Sequence, residues 1–218
     1  MVAIKMFFLA MGAALSLVLT VPLHAAEVKV LDDLDKTVQT DAIKARCSRY
    51  QQALQALQKS LDDLNSGEEV SSIFRINKVL AQVAESEKLL TAANGELAAL
   101  TAYVAVNREK LTAAGLEAFL PLAQLDDVSY RQYQEAVRAY LIAFKSLLYY
   151  SKSHISALRV GRKAEMDTHE KLYSEYVAAT DRQGESFSEW SGFLFQFIQD
   201  NPALRPHLEN NPRKEEKL

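Results

Sequence analysis

The chain has 218 residues, 49% of them hydrophobic and 24% charged, with a formal net charge of −3. That composition is globular rather than disordered, is long enough for one domain with a sizeable core, and has no basic excess to draw nucleic acid or an anionic membrane surface. Prolines fall only at positions 22, 121, 202, 206 and 212, which leaves two proline-free spans of roughly eighty residues or more and favours long helices over strands and turns.

Residues 1–26 have the pattern of a secretory signal. Lys5 supplies a positive start, Met6 to Val21 is an apolar run, and Pro22-Leu23-His24-Ala25-Ala26 offers small residues for cleavage after Ala25 or Ala26. The expected location is therefore periplasmic or secreted, with no integral membrane segment once the leader is removed. The alternative is an inner-membrane anchor, because the apolar run lies near the lower limit for spanning a bilayer. Cys47 is the single cysteine, so no intramolecular disulfide can form and an exported chain must rely on its core.

A first helix is predicted from Val28 to Leu64, with Ile43, Cys47, Tyr50, Leu54, Leu57, Leu61 and Leu64 at alternating four and three spacing. Cys47 lies within that stripe and reads as a small buried hydrophobe. Asn65-Ser66-Gly67 ends the helix, and Ser66 with Glu69 forms a capping box for a second one, from about Val70 to Ala114. Its stripe of Ile73, Ile76, Leu80, Val83, Leu90, Leu97 and Val104 is interrupted by Glu87 and Asn94, which are expected to set register. Gly115 to Asp127 is too apolar for a free loop and contains Pro121, so it is expected to be a short broken helix closing one end of a bundle.

The central stretch, Ser129 to Thr180, would make one helix on the order of 75 Å long, opened by Asp126 or by Ser129 with Gln132. Its seam runs through Val137, Leu141, Phe144, Leu148, Ile155 and Leu158, turns polar at Arg162, Glu165 and His169, and becomes apolar again at Leu172 and Tyr176. Seven of the nine tyrosines, at 130, 133, 140, 149, 150, 173 and 176, fall within it. They cannot share one face, so some must meet another segment, a partner or solvent; their rings are expected to pack with hydroxyls reaching water, the alternative being a tyrosine-lined groove for a ligand or partner. After Gly184, Ser186 with Glu189 is expected to cap a short aromatic helix. That helix either folds back on the bundle or offers Phe187, Trp190, Phe193, Phe195 and Phe197 to a protein partner. Residues 202–218 read as an irregular charged tail.

These elements predict an all-α fold: an elongated antiparallel bundle of three long coiled-coil-like helices with a short aromatic C-terminal helix, spanning residues 27–201. For chemistry the sequence offers little. Glu165 and His169 are four apart on one helix face, as metal ligands must be, but the paired Glu-x-x-His motifs of a di-iron bundle are absent. His154, Met166 and His169 could serve as haem ligands, yet Cys-x-x-Cys-His is missing. No hydrolase, phosphate-loop or zinc-protease motif occurs, so no enzyme and no cofactor is expected. The functional expectation is a structural or protein-interaction module of the cell envelope that binds a protein partner or itself. The alternatives are a ligand-binding or sensory bundle built on the tyrosine-rich helix and a metal or haem redox bundle.

Overall fold

The computed structural model describes residues 35–65 and 72–208, and among them every regular element is helical. Residues 35–65 form α1. They are followed by α2 (Ile73–Val106), α3 (Arg108–Ala113), a 3-10 segment (Glu117–Gln124), α4 (Val128–Arg159), α5 (Lys163–Asp200), a 3-10 turn (Pro202–Leu204) and α6 (Arg205–Leu208). Cross-helix pairs give the direction of each. Ser60 to Ser86 at 2.7 Å and Arg49 to Glu96 at 3.1 Å set α1 antiparallel to α2. Tyr130 to Asn94 at 3.3 Å and Lys145 to Glu87 at 2.9 Å do the same for α2 and α4. Tyr133 stacks on Trp190 and Tyr140 meets Tyr176, so α5 returns along α4. The result is an up-down-up-down bundle.

The first helix buries the stripe read from its spacing: Ile43, Cys47, Tyr50, Leu57, Leu61 and Leu64 are all in the core. The two polar interruptions of α2 both pair with α4, Asn94 accepting from the Tyr130 hydroxyl and Glu87 binding Lys145. A one-turn slip of α4 against α2 would break both contacts, so these residues fix register. By length and composition α2 is apolar enough to cross a membrane, yet in the fold Ile76, Val83, Leu90, Leu97, Leu100 and Val104 are core residues.

The bundle has four long helices where three and a short one were expected. The central stretch is not continuous: α4 stops at Arg159 and the chain reverses at Val160-Gly161-Arg162. Gly161 has φ +69°, and the Arg162 N–H donates back to the Ala157 carbonyl at 3.0 Å. This is the left-handed glycine terminator that satisfies the last helical carbonyls. Gly115 does the same after α3, with φ 66° and the Leu116 N–H on the Leu111 carbonyl at 2.8 Å. The polar stretch of the seam is thus the outer end of a helical hairpin. By the same token the aromatic segment is no separate helix: α5 runs through Gly184, and Ser186 is a buried interior residue rather than a cap.

Other boundaries move less. Helix α2 begins at Ile73, capped by Ser72, whose Oγ accepts from the Arg75 N–H at 3.3 Å; the Ser66–Glu69 box lies outside the described residues. Helix α4 opens at Asp127, whose carboxylate accepts from the Ser129 N–H at 3.3 Å and its hydroxyl at 2.9 Å. The Pro121 segment is a 3-10 helix that buries Phe119 and Leu122 against the end of the bundle. Residues 202–208, expected to be irregular, are helical and bury Leu204 and Leu208, with His207 against Phe119. The leader and residues 209–218 lie outside the described residues.

Candidate functional site

Three helices, α1, α4 and α5, meet at an aromatic cluster. Trp190 of α5 stacks on Tyr133 at 5.2 Å and 10° and lies 5.4 Å from Tyr130; Tyr50 of α1 meets Tyr130 edge-on at 6.4 Å. Burial is the leading cause that raises the phenol of Tyr130 to about 12 and those of Tyr50 and Tyr133 higher than usual. These side chains are core. Of the five aromatic residues read as partner-binding, Trp190 and Phe197 are buried here, and Phe193 is partly buried on Phe197. Phe187 lies at the edge against Tyr133, and Phe195 alone is broadly open, at 64% exposure. Phe195 borders a groove between α1 and α5 that also takes Gln51, Leu54, Gln55 and Gln58.

The distal part of the α4–α5 hairpin is different. From residue 149 to residue 185 no side chain is buried. Asn65, the last described residue of α1, accepts from the Tyr140 hydroxyl at 2.9 Å, so the path of α1 along α4 is described only to that level. Beyond it, Leu158 of α4 and Met166, His169, Glu170 and Tyr173 of α5 surround an open hollow of about 520 Å³. Met166 and Tyr173 are 49% and 52% exposed, and Val160 at the turn is 74% exposed. This distal arm is therefore a helical pair with an apolar flank that no other described residue covers.

The sequence singled out Arg162, Glu165, Met166 and His169, and the structure brings the last two to that hollow beside Glu170. It turns the other two toward each other: the Glu165 carboxylate is 3.7 Å from Arg162, and the Glu165 carbonyl accepts from Tyr150 at 3.2 Å. Among the described residues no group of three or more His, Cys, Asp or Glu side chains gathers as a metal site. His154, the third candidate ligand, stacks on Tyr150 at 4.2 Å, and its Nδ1 lies 3.1 Å from the Tyr150 carbonyl, at a local departure from helical geometry. Sequence reasoning missed Leu158 and Tyr173 as neighbours. On one continuous helix, fifteen positions apart means about 22 Å apart, whereas the turn at Gly161 folds them together. The signal was available in that glycine and the polar seam around it. No protein-family model, curated protein or solved structure matches the chain.

Proposed function

We propose that this chain is an exported helical-bundle protein that works in the cell envelope as a protein-interaction module, with the distal α4–α5 arm as its interacting element. The observation that supports this reading is the stretch around the α4–α5 turn, residues 149 to 175, without a buried residue, in two helices that elsewhere bury a continuous seam. A helical pair with exposed Met166, Tyr173 and Val160 gains little from folding on its own, since most helix stability comes from packing an apolar face. A docking role accounts for retaining it. The leader pattern in residues 1–26 supports export.

The reading is tested in producing cells with a photo-crosslinking residue at Tyr173 on the arm and, separately, at Val106, which is 84% exposed on the body. A discrete adduct of defined mass from position 173 and none from 106 is expected. Equal, diffuse labelling from both would overturn the arm as the interacting element. Intact mass of the unlabelled protein should begin at Ala26 or Glu27, and a retained leader would replace export by anchoring.

A further inference from the structure

We infer that the arm's open flank is covered by the arm of a second copy of this chain, laid antiparallel on it about a two-fold axis between His169 and Glu170. This rests on the reading of the arm as the interacting element and names its occupant. The argument is the order of side chains along one face of α5. Met166, His169, Glu170 and Tyr173 all border the same hollow, and they follow one another as apolar, basic, acidic, apolar. In an isologous antiparallel pair, residues meet when their positions sum to a constant. Centred between 169 and 170, the pairing sets Met166 of one copy on Tyr173 of the other and His169 on Glu170, twice over. Thioether on aromatic ring is a favourable contact. An imidazole N–H donates to a carboxylate whether the ring is neutral or charged. The same register carries Val177, 37% exposed, to the turn of the second copy, where Val160 is exposed.

The reversed arrangement also leaves the two bodies at opposite ends of the joined arms, clear of one another. A contact confined to one face of about three turns of α5 from each copy is small for a specific interface, so the dimer should dissociate on dilution.

The test uses sedimentation of the full mature chain over a concentration series, with melting as the folding control. A dissociating dimer is expected. Glu170→Lys sets lysine against His169 and should weaken the dimer at least tenfold with melting of the dilute protein unchanged. The double exchange His169→Glu with Glu170→Lys restores opposite charges and should recover dimerisation. Because Cys47 is buried, Met166→Cys and Tyr173→Cys proteins can also be mixed and oxidised, and a disulfide dimer should form in the mixture in preference to either alone. A monomer at every concentration, a dimer indifferent to Glu170→Lys, or crosslinking of position 166 to residues 27–34, 66–71 or 209–218 of its own chain would each overturn the proposal. A monomer that still gives the arm-specific adduct from position 173 would remove this inference and leave the arm's interaction role standing.

Discussion

The same two helices, α4 and α5, run through the body of the bundle and on into its distal arm, yet their spacing achieves different things in the two regions. Within the body, α4 buries Tyr130, Tyr133, Val137, Tyr140, Leu141, Phe144 and Leu148. Further along the same helix Ile155 and Leu158 continue the seam and are only partly covered. Periodicity makes a face, and only neighbouring elements make it a core. α1 and α2 supply those neighbours over the body, so the seam there is a packing device, while along the arm it is a surface. The comparison predicts large energetic effects in one region and small ones in the other.

The largest effect is expected at Trp190. It is 2% exposed and touches Tyr130, Tyr133 and Phe187, so one side chain joins α4 to α5 beside α1. Trp190→Ala should cost about 3–5 kcal/mol, the range for truncating a buried large aromatic. Urea unfolding of the variant and parent measures it directly. A loss below about 1 kcal/mol would mean that the aromatic segment is not part of the core, and the contrast between body and arm would fail.

An intermediate effect should appear at alkaline pH. Burial raises the Cys47 thiol from 9.0 to about 11 and the Tyr130 phenol from 10.0 to about 12, and it raises Tyr133 and Tyr140 as well. The unfolded chain therefore loses these protons first. The stabilisation they give is fully present below about pH 9 and is lost as pH rises through 11 and 12. Melting temperature should stay level up to about pH 9 and then fall steeply, with tyrosinate absorbance rising together with loss of helix. Tyrosinate formed at full helicity by all the tyrosines would show that the body's phenols are not sealed. Cys47 should likewise react with a thiol reagent in the native protein far more slowly than in denaturant.

Much of the body was legible because its signals are local. Ile43 to Leu64 follows its three-and-four spacing into the core, and Glu87 and Asn94 advertise themselves as polar residues on an apolar stripe. The reversal at Gly161 was harder to read, because a glycine inside a helical pattern is ambiguous. Gly95 and Gly184 lie within helices, where an added Cβ would meet nothing within 4 Å, while Gly115 and Gly161 end helices with positive φ. What separates the two classes is tertiary: whether the chain beyond the glycine has a seam to return along. Reading Ser129 to Thr180 as one helix placed Leu158 and Tyr173 far apart and left the aromatic segment looking separate. The polar residues around His169 were nevertheless found, since side chains at the end of a hairpin stay polar whichever way the chain turns.

The smallest effect is expected at Tyr149, and it gives the sharpest form of the comparison because its partner in the test lies on the same helix. Tyr140 is fully buried, packs on Phe144 and Tyr176 and donates to Asn65 at 2.9 Å; Tyr149 is 51% exposed. Tyr140→Ala removes both a buried ring and the hydrogen bond that ties α4 to α1, and should cost about 3 kcal/mol or more. Tyr149→Ala removes a ring from solvent-facing surface and should change stability by no more than about 0.5 kcal/mol. Tyr149 also lies outside the proposed two-fold contact, so its substitution should leave sedimentation unaltered. Denaturant unfolding of the two variants at low protein concentration compares them without interference from association. Equal losses at the two positions would show that α4 is covered along its whole length by chain not yet accounted for, and the arm would then be body.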